Sequence, residues 1–145
     1  MQEAKIIAIS AALEETSVAE HPLYAAEVAA GFPSPGDDLV EQPLDLNDLM
    51  IDNPTATFFV RVQGDSMEGA RIFDGDVLVV DRSVQARAGM IVVAAVYGEL
   101  VVKRLQKTST GLALVSENDN YAPILIDDTE GCFIWGVATG SARVF

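Results

Sequence analysis

MIVVAAVYGELVVKRL, residues 90–105, decides the fold class. Two runs rich in Val, Ile and Leu flank Tyr97-Gly98-Glu99. Branched side chains suit a pleated, half-buried surface, and a glycine between two such runs supplies the backbone freedom of a tight hairpin. Working outward, the same text recurs as TFFVRV (57–62), DVLVV (76–80), LALV (112–115) and CFIWGV (132–137). Turn signals separate the runs: Phe73-Asp74-Gly75-Asp76, Ala88-Gly89 and Glu117-Asn118-Asp119-Asn120. Six or more short strands with little helix predict a mainly β, compact domain over residues 58–145.

Upstream of residue 58 the character changes. Five of the six prolines lie there, and Pro33-Ser34-Pro35-Gly36 can continue neither a helix nor a central strand. This reads as an extended N-terminal arm (1–31) and a linker (32–57). Residues 44–51 (LDLNDLMI) predict one short helix, with Leu46, Leu49 and Met50 packing inward.

Composition sets limits on function. The chain has 145 residues, half of them hydrophobic, enough for a buried core. The formal charge is −13; residues 1–60 hold eleven acids against one base, Lys5, and residues 61–145 hold eleven against eight. Such a surface repels phosphate, so direct sequence-specific DNA binding is not expected. No apolar run reaches membrane-spanning length, and residues 5–13 are too short and lack a basic leader, so the expected compartment is the cytosol. A single cysteine, Cys132, and a single histidine, His21, predict neither a disulfide nor a Cys/His metal site, and no cofactor is expected. Cys132 opens an apolar run and is read as a packed thiol rather than a reactive one. His21 lies in the acidic arm, far from any strand end, which disfavours a Ser-His-Asp triad.

Three weaker signals remain. Gly64-Asp65-Ser66-Met67 follows TFFVRV, where a glycine turn can present Ser66 at a strand end. The N–H groups of Asp65 and Ser66 could then face a developing oxyanion. The same four residues also read as a plain polar turn. In ELVVKRL (99–105) the strand period puts Val101, Lys103 and Leu105 on one apolar face and Arg104 on the opposite, solvent side. Burial favours a neutral amine over an ammonium, so Lys103 could serve as a general base for Ser66; a structural edge lysine is the competing reading. Ala29-Ala30-Gly31-Phe32-Pro33 carries small residues that allow close approach to a nucleophile, or is a simple linker.

Taken together, AGFPSP (30–35), VEQPLDLN (40–47), FVRVQGDSM (59–67), Asp74-Gly75-Asp76, Val80-Asp81 and VVKRL (101–105) resemble the LexA/UmuD family of self-cleaving Ser–Lys peptidases, in order and spacing, from about residue 30 to 137. The resemblance implies a β-rich peptidase domain with Ser66 as nucleophile, Lys103 as base and Ala30–Gly31 as the scissile bond. It also implies a homodimer, stimulation by the RecA filament on single-stranded DNA, and a cleaved product that joins a UmuC-type polymerase in error-prone translesion synthesis during the SOS response. Within the family, a LexA-like repressor would need a DNA-binding domain ahead of the cleavage site. Only five acids and one base occur among the first 30 residues, the wrong sign for one. A signal peptidase would need a membrane anchor. A non-catalytic interaction module on the same scaffold would be indifferent to loss of Ser66.

Overall fold

The computed structural model describes residues 2–12, 20–24, 40–118, 120–126 and 131–145. The chain divides into two units, Met1–Leu13 with Asn53–Phe145, and Glu14–Asp52. The larger unit is one antiparallel sheet built from β1 (Lys5–Ala11), β4 (Thr57–Gln63), β5 (Val77–Asp81), β6 (Ile91–Val96), β7 (Glu99–Thr108), β8 (Gly111–Val115), β9 (Ile124–Leu125) and β10 (Cys132–Ala142). Their spatial order is β1-β4-β5-β10-β6-β7-β8-β9, and β1 also pairs with β7. That last pairing, at Lys5 and Val101, closes six strands into a ring, from which β8 and β9 continue beyond β7.

The hairpin read from residues 90–105 is β6–β7, joined by Tyr97 (φ 48°) and Gly98 (φ 84°). Two consecutive positive φ values are the turn whose twist matches antiparallel strands. β6 runs apolar without alternation because both faces are covered. Val93 packs with Val60, Val62, Val80 and Val102, while Val92 and Ala94 pack with Val101, Leu105, Leu114 and Val137. Gly136, at a register shift in β10, lets Val80 approach: a Cβ there would sit 2.6 Å from Val80 Cγ1.

The sheet reaches further upstream than residue 58. Lys5–Ala11, assigned from sequence to the arm, pairs along its length with β4. Ala4 is fully buried in the core beside Met67 and Ile72. In the smaller unit, β2 (Glu20–Tyr24) pairs antiparallel with β3 (Val40–Asp45), and α1 (Leu46–Met50) follows, capped by the Asp45 carboxylate on the Asn47 N–H at 2.8 Å. The expected inward packing of Leu46 and Leu49 is not found; each is 62% exposed. A five-residue helix makes little more than one turn, too little to lay down an apolar stripe. The segment holding Ala30, Gly31 and the Pro-rich stretch lies outside the described residues.

Candidate active site

The nucleophile candidate sits in a turn whose shape follows from its neighbours. β4 ends at Gln63, and Gly64 (φ 110°) adopts a conformation that side chains resist. Its N–H donates to Asp74 Oδ1 at 2.9 Å, tying this turn to the next one. Met67, fully buried, anchors the far side. The neighbouring loop is held by Asp76, whose carboxylate accepts the Phe73 N–H at 2.9 Å and two bonds from Arg143 at 2.6 and 2.8 Å. The Arg143 bonds outweigh burial and hold the Asp76 carboxyl below the usual carboxylate range. Ser66 itself has no exposed surface.

The base candidate is placed by strand register. β7 uses one edge for two partners: β1 at Val101 (opposite Lys5) and β8 from Arg104 (opposite Val115) onward. Continuing the first register by two residues brings Glu3 opposite Lys103. Continuing the second by one brings Ser116 opposite Lys103. Residues opposite each other share a face, so all three side chains converge. Lys103 is 2% exposed, its Nζ 2.6 Å from Glu3 Oε1 and donating to Ser116 Oγ at 2.7 Å. The Tyr121 ring lies 5.5 Å from Nζ. Burial, followed by the negative charges of Glu3 and Asp65, pushes the Tyr121 phenol up.

The cleft between these two elements is filled by the chain's own residues 2–4. The N–H groups of Asp65 and Ser66 both donate to the Gln2 carbonyl oxygen, at 2.9 and 3.0 Å. The Ala4 N–H donates to Ser66 Oγ at 2.7 Å, and the Ala4 carbonyl accepts from the Val102 N–H at 2.9 Å. The Gln2 N–H donates to Asp65 Oδ1 at 2.7 Å. Ser66 Oγ contacts Glu3 Oε1 at 3.4 Å, the same oxygen that pairs with Lys103. Gly64 makes room for this strand: a Cβ there would sit 2.1 Å from the Glu3 carbonyl oxygen. A peptide carbonyl held by two adjacent N–H groups beside a serine hydroxyl has the donor arrangement of an oxyanion hole.

Sequence reading thus named Asp65, Ser66 and Lys103, and the fold brings them to one cleft. It missed Glu3 and Ser116. It also put Arg104 in solvent. Arg104 is half-buried, paired with Glu117 and donating to the Gly89 carbonyl at 2.7 Å. Cys132 is half-buried, and burial pushes its thiol up. Among the described residues no group of three or more His, Cys, Asp or Glu gathers to hold a metal ion, and no helix is long and apolar enough to cross a membrane.

Residues 22–139 match the Peptidase S24-like family. Protein MucA of Escherichia coli is 46% identical over 121 residues, covering 83% of this chain and 82% of that protein. Protein SamA of Salmonella typhimurium is 42% identical over 118 residues, covering 81% of each. The LexA repressor of Shewanella sediminis is also 42% identical over 118 residues, but these are only 57% of its length. With most of the sequence inside the family match, and with relatives of this identity over most of their own length, the chain belongs to the Peptidase S24-like family, of the LexA/UmuD type.

Proposed function

We propose that the chain is a self-cleaving serine peptidase of SOS mutagenesis, cutting its own Ala30–Gly31 bond with Ser66 as nucleophile and Lys103 as general base. The observation that carries this reading is the pair of N–H groups, Asp65 and Ser66, converging on one peptide carbonyl beside the buried Ser66 hydroxyl and the buried Lys103.

The chemistry follows from these groups. Neutral Lys103 takes the Ser66 proton as Oγ attacks the Ala30 carbonyl carbon. The oxyanion accepts from the Asp65 and Ser66 N–H groups. The lysine ammonium returns its proton to the Gly31 nitrogen as the C–N bond breaks, leaving residue 30 esterified to Ser66. Lys103 then deprotonates a water that hydrolyses the ester, releasing residues 1–30 from 31–145. Ser116 Oγ, 2.7 Å from Nζ, orients the amine as a positioning residue.

The biological setting comes from the family resemblance and the relatives. Cleavage is stimulated by the RecA filament on single-stranded DNA. The homodimeric product serves a UmuC-type translesion polymerase in the cytosol. The charge of −13 supports this division of labour, since DNA contact falls to the partners.

The test is intact mass of the purified chain at alkaline pH, with Ser66→Ala and Lys103→Ala alongside. Higher pH raises the neutral fraction of any lysine, so wild type should lose residues 1–30 faster as pH rises and both variants should stay whole. Cleavage by Lys103→Ala at the wild-type rate would remove the lysine from the mechanism. A chain that stays whole even with RecA, ATP and single-stranded DNA would favour the non-catalytic interaction module.

A further inference from the structure

We propose that residues 2–4 are an internal competing ligand of the catalytic cleft, holding the enzyme shut until they leave. The inference rests on the Ser66/Lys103 reading above and concerns the regulation of that site. Three separate features of the cleft are engaged at once. Both oxyanion donors are taken by the Gln2 carbonyl. The Ser66 hydroxyl accepts the Ala4 N–H at 2.7 Å, which ties up a lone pair it would use for attack. The Glu3 carboxylate stands between nucleophile and base, sharing one oxygen between Ser66 Oγ and Lys103 Nζ.

The third feature matters most for chemistry. A carboxylate 2.6 Å from a buried lysine stabilises the ammonium, the form that cannot accept a proton. Asp65 supplies the other carboxylate of the cleft, and it is occupied by the Gln2 N–H. Tyr121 adds only a ring face to Nζ. Glu3 is therefore the carboxylate that pairs with the base among the described residues. The cleft is best fitted to a short extended peptide with a carboxylate one residue after the carbonyl that enters the donor pair. The cleavage segment offers Gly31 at that place, with no side chain at all, so it would leave the lysine without a counter-ion.

The occupant and the substrate exclude each other, because one pair of donors can hold only one carbonyl. Observed cleavage then equals intrinsic cleavage multiplied by the fraction of time the cleft is free. A stimulating partner need do no chemistry. It has only to favour the state in which residues 2–4 are out.

Two measurements on the full chain test this. The first is amide hydrogen exchange on Ser66→Ala, which leaves the Gln2 contacts to the backbone in place. Residues 2–5 and 64–66 should be protected, and Glu3→Gln in that background should lower the protection. The second is the rate of loss of residues 1–30 by intact mass at neutral pH, comparing wild type with Glu3→Gln. Replacing the carboxylate by a neutral amide removes the ion pair with Lys103 and should speed cleavage severalfold. Rapid exchange across residues 2–5 would overturn the occupancy. Protection with an unchanged or slower Glu3→Gln rate would overturn its inhibitory role. If neither protein is cut at any pH, nor with RecA, ATP and single-stranded DNA, while the protection is present, the dyad reading fails and the inhibitory role fails with it, leaving the occupancy alone standing.

Discussion

Replacing Ser116 by alanine tests whether Lys103 must be aimed as well as neutral. Ser116 is buried, and its Oγ accepts from Lys103 Nζ at 2.7 Å. When the cleft is free of Glu3, this hydroxyl is the remaining polar side-chain contact on the amine among the described residues. Losing a buried hydrogen bond of this kind costs about 1–3 kcal/mol. At about 1.4 kcal/mol per factor of ten, that predicts cleavage roughly 5- to 150-fold slower. The full loss from Lys103→Ala should be larger, since general base catalysis contributes about 10²–10⁴. The assay is intact mass against time, from pH 7 to pH 10, for wild type, Ser116→Ala and Ser116→Thr. A deficit of the same size at every pH in this range is one of orientation rather than of protonation. Ser116→Thr keeps the hydroxyl and should restore most of the rate. A Ser116→Ala protein that cleaves like wild type across this range would refute the argument.

Two further outcomes follow from particular contacts. Gly64→Ala puts a Cβ 2.1 Å from the Glu3 carbonyl at a residue with φ 110°. It should lower stability by about 2 kcal/mol and strip exchange protection from the Asp65 and Ser66 amides; an unchanged melting temperature would contradict the packing. Asp76→Asn removes the charge that Arg143 grips and should destabilise the chain at pH 7 by about 2 kcal/mol. Because the folded Asp76 carboxyl lies below its ordinary value, its contribution is complete above about pH 4 and fades as pH falls through the depressed folded value. Thermal unfolding of the two proteins should therefore converge only in strong acid, and a gap independent of pH would reject the assigned pair.

Local signals made most of the ring legible. β4, β6 and β7 announce themselves through branched residues, and the Tyr97-Gly98 turn fixes the register of β6 on β7. Ser116 was legible in principle. Thr108 and Gly111 close β7 on β8 through a two-residue loop, and counting back along that register puts Ser116 opposite Lys103. Glu3 was not legible, because its position depends on β1 finding β4 more than fifty residues away. KIIAISA is an apolar run with acids on both sides, and nothing local distinguishes an arm from a strand that closes a sheet. The inward Leu46 and Leu49 failed for a different reason: an apolar spacing was read as a face, but a five-residue helix has no face to bury.

The strand that closes the ring is also the strand that fills the cleft, and this sets the energetics of opening. The ladder with β4 runs from Lys5 to Ala11 and makes the structural contacts. Residues 2–4 make the contacts that shut the site. Peeling away these three residues gives up the Gln2 carbonyl bonds, the Gln2 N–H bond to Asp65, the Ala4 N–H bond to Ser66 Oγ and the Glu3–Lys103 pair, and lifts Ala4 from the core. The rest of β1 can stay in place. An incoming peptide regains the two oxyanion bonds, so the backbone exchange is close to neutral. What the substrate does not regain is the ion pair. A charge-assisted contact to a buried lysine is the stronger kind of hydrogen bond, and it tips the balance towards the closed form. On the proposed mechanism, closing of this kind would slow cleavage until residues 2–4 leave, and would concentrate the control in the Glu3–Lys103 pair.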